Sequence, residues 1–274
     1  MAQDSQEAAV VRPVADILEQ RNAGNSSGYI LPKLHSMKEQ NPNLALLDIG
    51  CGPGTISSTL AKIIPDGHVT GIDKSPDIIP RARDLAEESG VKNIEFQQGD
   101  AYKLPFADGA FDITICHQML TYLKAPWDAL SEMIRVTKVG GIIAAREGDL
   151  TSECVWPELP GLVKFHKLAG DLIKGGGGTD KGGRQLLSWA LKAGVKREMI
   201  TVSHSTWSYS TPKEKQIWSV ALIERVQGSQ LRGLGLKLGL TTGDLDEIVR
   251  HWTEWAERDD ASIAMMHGEI IIRR

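Results

Sequence analysis

The chain has 274 residues, a formal net charge of −4 and a hydrophobic fraction of 41%. No apolar run of about eighteen residues occurs, so no membrane-spanning helix is expected. The acidic balance argues against a protein that grips a nucleic-acid backbone. The three cysteines, Cys51, Cys116 and Cys154, are scattered and odd in number, which suits a reduced, cytoplasmic setting, and the N-terminus lacks the basic-then-apolar pattern of a secretory leader.

Residues 1–25 are polar, with a predicted helix over Val14–Arg21 started by Pro13. Gly24 to Gly28 reads as a loop before Tyr29. Pro32 to Gln40 has the spacing of a short amphipathic helix, ended by Asn41-Pro42-Asn43. An apolar run then breaks at Gly50, and glycines follow at alternate positions, Gly50, Gly52 and Gly54, in LLDIGCGPGT. A helical pattern begins at once, with Ile56, Leu60, Ile63 and Ile64 on one face. Buried strand, glycine turn and helix start make the front of a nucleotide-binding βαβ unit. Glycine is needed where backbone approaches a ligand closely, and free N–H groups at the helix start are expected to face that ligand.

Pro65-Asp66-Gly67 turns the chain into a second strand, His68 to Ile72, ending at Asp73. An acid at that tip, about 20 residues past the glycines, suits the two hydroxyls of a ribose. Ser75 reads as the N-cap of the next helix, which Gly90 closes. Further strands are predicted over Ile94–Gln97 and Phe111–Cys116. A helix over Pro126–Lys138 is ended by Gly140-Gly141, and a fifth strand runs over Ile142–Arg146. Beyond Glu147 the pattern predicts a helix from Trp156-Pro157 to Lys174, a flexible joint at Gly175–Gly178 and a helix over Gly183–Gly194. A sixth strand near Met199–Ser208 follows, then helices over Pro212–Val226 and Leu245–Arg258 and a last strand over Ala264–Ile272. Five of the seven tryptophans (Trp156, Trp207, Trp218, Trp252, Trp255) fall in or beside these later helices and could wall a site for a ring-bearing molecule.

The glycine spacing departs from the dinucleotide fingerprint, because the third glycine comes one place early. The stretch resembles motif I of class I S-adenosylmethionine (SAM) methyltransferases, DxGxGxG, as Asp48, Gly50, Gly52 and Gly54. FDITIC matches that family's fourth strand. The resemblance, specific over Leu44 to Glu147, implies a Rossmann-like α/β fold: a seven-stranded, mostly parallel sheet with helices on both faces. It implies an N-terminal helical lid over residues 1–43, a methyltransferase domain over 44–274, and helical cap insertions at about 150–182 and 211–260. It implies SAM contacts by Tyr29, Asp48, Gly50, Cys51, Gly52, Asp73, Lys74, Gly99, Asp100, Ala101, Cys116 and His117, with Asp100 and Ala101 at the adenine.

Substrate contacts are expected from Tyr29, Gln118, Tyr122 and Trp156. His117, just past a strand tip, is the candidate general base; the alternative is that it merely packs against the donor. No His/Cys cluster has zinc spacing, and Asp149 alone makes no magnesium site, so no metal is expected. The pattern is similar to the ubiquinone/menaquinone-biosynthesis type, and its tail resembles fungal gliotoxin-type bis-thiomethyltransferases. That likeness implies a small-molecule acceptor with thiol sulfur preferred. O-, N- or C-methylation, a nicotinamide-dependent oxidoreductase and a non-catalytic SAM-binding protein are the competing readings.

Overall fold

The computed structural model describes residues 17–274. Most of the predicted Val14–Arg21 helix lies at that boundary; Val14 to Asp16 fall outside the described residues, and Ile17 to Glu19 are helical. Asn22 then caps a short helix, α1 (Ala23–Ser26), where a loop was expected: its side chain accepts from the Gly24 and Asn25 amides, and the Asn25 side chain accepts from the Asn22 amide. Next comes α2 (Leu31–Gln40), with proline in its first turn, whose buried Leu34 joins the core.

The central βαβ units follow as β1 (Ala45–Ile49), α3 (Thr55–Ile63), β2 (His68–Asp73), α4 (Ile78–Glu88), β3 (Ile94–Gln98), β4 (Phe111–His117), α5 (Pro126–Val136) and β5 (Thr137–Gly148). Then come β6 (Cys154–Trp156), α6 (Pro160–Gly175), α7 (Gly182–Lys192), β7 (Ile200–Tyr209), α8 (Pro212–Gln227), α9 (Ser229–Lys237), α10 (Thr242–Glu257) and β8 (Ser262–Arg273). The first five strands are parallel in the order β3-β2-β1-β4-β5. β8 lies antiparallel between β5 and β7. β1 and β4 are buried on both faces, which explains their unbroken apolar runs.

The seven expected strands are present, and β6 is an eighth, extending the β5 edge along β8. Trp156 therefore lies in a strand, and the following helix starts later, at Pro160. Gly140-Gly141 does not end a helix but lies inside β5, beside a register shift between Phe111 and Ile113. Gly140 has φ +84° and a Cβ on Gly141 would stand 2.5 Å from the Asp112 carbonyl, so glycine serves strand approach here. Ser75 caps no helix with its side chain, and α4 begins only at Ile78. The four-glycine run packs tightly on the residues after β4, with the Thr179 amide donating to the Thr121 carbonyl (2.9 Å), so it acts by close approach rather than as a joint.

One face of the sheet packs against α2, α3 and α4, through Leu34, Leu60, Ala82 and Phe96. The other packs against α5 and α7, through Leu130, Met133, Leu186 and Trp189. A separate cluster joins α6, α8, α9 and α10 through Phe165, Leu222, Leu231, Trp252 and Trp255. Capping boxes at Thr211–Glu214 and Thr241–Asp244 start α8 and α10.

The tightest join in this scaffold is Gly183, at the start of α7, against Gly268 in β8. A Cβ on Gly268 would collide with the Gly183 carbonyl, and one on Gly183 would stand 2.8 Å from both the Glu147 carbonyl oxygen and the Gly268 nitrogen. Backbone cannot give as a side chain can. Gly268→Ala is therefore expected to lower unfolding stability by about 1–3 kcal/mol, read by thermal or urea denaturation, whereas Gly233→Ala, with open space at its Cβ, is not.

Candidate functional site

The parallel sheet dictates where a ligand can sit: at the carboxyl ends of β1, β2 and β4, where strand order reverses on either side of β1. A cavity of about 1410 Å³ opens there and runs from the glycine turn to the helical cluster beyond β7.

The glycine turn is fastened to β2. The Gly50 and Cys51 amides donate to the Ile72 carbonyl (2.8 and 3.0 Å), and the Gly52 amide donates to Asp73 Oδ2 (2.9 Å). Asp73 Oδ1 accepts from the Ser75 amide (3.0 Å). These turn amides thus serve the protein, and they are distinct from the helix-start amides beyond Gly54. What the turn offers is absence of side chain: Gly50, Gly52 and Gly54 have φ +72°, +54° and +73°, and a Cβ on Gly52 would meet nothing within 4 Å. On Gly50 it would stand 2.6 Å from Met119 Cγ, and on Gly54 it would strike Phe96. Asp48 is buried below the turn and accepts from Ser57 Oγ (2.5 Å). Burial pushes its carboxyl up to about 7, with the Asp73 charge adding and the Ser57 hydrogen bond opposing.

The described residues before α1 contribute Ile17, Leu18, Gln20 and Arg21 to the cavity lining. Thr55 Oγ1 donates to the Leu18 carbonyl (3.3 Å), the Ala23 amide donates to Thr59 Oγ1 (2.7 Å), and Glu19 pairs with both ends of the Arg81 guanidinium (2.8 Å each). Arg21 reaches inward and donates to Gln118 Oε1. Gln118, just past β4, has φ +50°, and its Nε2 lies 2.7 Å from His267 Nε2 in β8. Because its oxygen serves Arg21, Gln118 donates to His267, which leaves the His267 proton on Nδ1, toward the Met265 carbonyl (3.4 Å).

The His117 ring is nearly parallel to that of His267 (6.4 Å, 10°). It is buried, hydrogen bonds with the Ser26 backbone, and has no partner at Nδ1 among the described residues. Burial, then Arg21, Arg146 and His267, holds it well below the usual histidine range; burial and Arg146 bring His267 down to about 3. Both imidazoles are neutral at physiological pH.

The far wall comes from β5, β7 and β8. Arg146 pairs with Glu269 (3.2 Å), whose oxygens also accept from Ser205 Oγ (2.5 Å) and Ser203 Oγ (2.8 Å). Glu147 turns away and takes the amides of Met119, Leu120 and Thr121 (3.0, 2.8 and 3.3 Å), so it organises the chain after β4; burial still raises it to about 7. Trp207, Tyr209 and Trp218 form an aromatic wall with ring centres 4.6 to 5.1 Å apart.

Of the residues expected at the site, Tyr29, Asp48, Gly50, Cys51, Gly52, Asp73, His117, Gln118 and Tyr122 line the cavity together. Lys74, Gly99, Asp100, Ala101 and Cys116 do not line it. Asp100 is exposed at the β3 tip, its carboxylate accepting from the Tyr102 amide (2.9 Å), and Cys116 is sealed inside β4. Trp156 is 59% exposed on β6, away from the cavity, because that segment is strand rather than the cavity-facing helix expected. Arg21, Arg146, His267 and Glu269 were not singled out, since they are brought together from distant elements.

A family profile described as a methyltransferase domain matches residues 40–173. An uncharacterized methyltransferase of Schizosaccharomyces pombe is 34% identical, with 84% of each chain covered. A protein of Aspergillus luteorubrus named "Probable methyltransferase ltbC" is 29% identical over 92% of this chain and 90% of its own. The chain is a class I SAM-dependent methyltransferase. In fold it is similar to Haemonchus contortus phosphoethanolamine N-methyltransferase 2 bound to S-adenosylhomocysteine (TM-score 0.55, 18% identity, 98% of this chain and 59% of that one).

The cavity of this methyltransferase fits SAM on its own terms. The bare Gly52 leaves room for a close ligand, and each Asp73 oxygen keeps a lone-pair direction beyond its one amide. Among the described residues no histidine, cysteine and carboxylate cluster could hold a metal.

Two predictions follow from this geometry. Gly52→Val should abolish S-adenosylhomocysteine binding by calorimetry, since it fills open space and strains a left-handed backbone. Asp48 has a folded pKa near 7 against an ordinary value of 3.8, so its contribution to stability is present at low pH and lost as pH rises through 7. Asp48→Asn removes that loss. In ligand-free protein the variant's stability relative to the parent should be greater at about pH 8 than at about pH 5, by roughly 1–3 kcal/mol.

Proposed function

We propose that this methyltransferase transfers methyl groups to thiol sulfur on a small, ring-bearing molecule. The observation that carries this reading is a roomy, aromatic-walled cavity whose two imidazoles are both poor proton acceptors. An alcohol acceptor needs a base near the transition state, whereas a thiol, with an ordinary pKa of about 8.5, is partly ionised near neutrality. The donor, when bound, supplies a methyl already activated by a positively charged sulfur.

The chain's own residues then align and enclose. Asp73 would hold the donor ribose and Asp48 its ammonium end, with the turn at Gly50–Gly52 against the methionine portion. Of the 1–43 segment, the described residues, including Tyr29, serve as a lid. The helices over about 150–182 and 211–260 serve as a cap that seats the acceptor, with Trp207, Tyr209 and Trp218 as its flat wall. His117 positions rather than deprotonates, because a base that weak gains little from taking a thiol proton.

Labelled SAM with a panel of aromatic thiols, phenols, amines and alcohols tests the acceptor. Mass gains of one or two methyl units on the thiols are expected, and methylation confined to the other classes would overturn the reading. Asp73→Ala should weaken SAM binding by at least about tenfold. His117→Gln should lower kcat/KM by a similar factor across the pH range; loss of an existing acidic limb would instead make His117 the base.

A further inference from the structure

We infer that Arg21 is the counter-ion for the ionised acceptor, and that the Gln118–His267 pair aims it. This deepens the thiol reading above and rests on it.

Arg21 lies in the cavity wall, and its one hydrogen bond among the described residues runs from Nη2 to Gln118 Oε1. A guanidinium has five N–H donors, so most remain available to a ligand. No carboxylate lies within ion-pair distance of it among the described residues, unlike the neighbouring Arg146, which Glu269 neutralises. The other groups around it make no ion pair with it among the described residues: Glu147 acts on it only through space, its oxygens spent on three backbone amides and its carboxyl pushed up to about 7 by burial, Tyr122 and Tyr209 are phenols, and His117 and His267 are neutral. An unpaired cation taken out of water is costly, and an anion arriving in the same cavity relieves that cost.

The aim is fixed by the hydrogen-bond sense. His267 accepts on Nε2 from the Gln118 amide, whose oxygen accepts from Arg21. Gln118 sits one residue beyond the β4 strand, in a left-handed conformation that turns its side chain off the strand path. The guanidinium is thereby held at the β4 tip, in the wall of the cavity that the glycine turn and the aromatic wall also line. An acceptor thiol bound there would lose its proton to solvent, and the sulfur electron pair that remains, stabilised by Arg21, would form the new bond to the donor's methyl carbon while the methyl–sulfonium bond breaks and its electron pair leaves on the donor sulfur as a neutral thioether. No protein base is required.

The test uses 4-nitrothiophenol, whose thiolate absorbs visible light, titrated with full-length protein saturated with S-adenosylhomocysteine. The bound thiol should ionise about one pH unit or more below the free probe. Arg21→Gln should remove that shift. Gln118→Glu, which keeps the arginine but gives it a permanent carboxylate partner, should remove it too, and Arg21→Lys should retain part of it. Calorimetric affinity for S-adenosylhomocysteine should stay within about twofold in Arg21→Gln.

A probe titration unmoved in Arg21→Gln, or no probe binding to the parent protein, overturns the inference. So does a tenfold or larger loss of S-adenosylhomocysteine affinity with an unmoved probe, which would give Arg21 to the donor's carboxylate. If thiols are not methylated in the product assay yet the probe shift depends on Arg21, the acceptor reading fails while the anion anchor stands.

Discussion

The hydrogen bond from the Gly52 amide to Asp73 fastens one connection of the sheet to another, and the site is built outward from it. β1 and β2 are paired in register as far as Ile49 and Ile72, but a strand ladder ends where its strands end. The Gly50 and Cys51 amides carry the pairing past that point, onto the Ile72 carbonyl, and Asp73 carries it to Gly52. The second oxygen of Asp73 fixes the Ser75 amide at the entry to α4. A loop that would otherwise cost conformational entropy on each binding event is therefore already shaped. The carboxylate is oriented by backbone on one side and open on the other.

Desolvation governs the rest of the cavity. Asp48 and Glu147 are pushed toward neutral pH, His117 and His267 are driven below it, and the tyrosine phenols of Tyr29 and Tyr209 are raised. Every shift favours the uncharged form, as expected when water is withdrawn from a group without a close opposite charge. Burial pulls the Arg146 guanidinium the same way, and Glu269, itself held by Ser203 and Ser205, opposes that pull. Such a site suits methyl transfer to a nucleophile that is readily ionised, because the transfer neutralises charge rather than creating it.

Legibility in the sequence tracks how local each feature is. The glycine turn, the strand before it and Asp73 are set by spacing within one βαβ unit, and β4 by its own short apolar, β-branched run, and the local pattern read these elements correctly. Gly140-Gly141 misled because paired glycines read as a helix stop, while here they let β5 approach Asp112 beside a bulge. β6 is three residues long and gains its strand character only from β8, more than a hundred positions later. α9 carries three residues with little helical signal, Gly233, Gly235 and Ser229, and it is packing against Leu168 and Leu245 that holds it. Arg21, Gln118 and His267 come from three elements, so nothing in their own neighbourhoods announces a relay.

That relay also ties chemistry to the docking of the first described residues. Arg21 reaches Gln118 because Leu18 and Ala23 are held on α3 by Thr55 and Thr59, and Glu19 is held on α4 by Arg81. The Glu19–Arg81 pair is half open to water and contributes little by itself; the side-chain-to-backbone bonds on α3 fix the position more firmly. The place of the cation in the cavity wall therefore depends on how residues 18–23 rest on α3 as much as on the strand tip that carries Gln118.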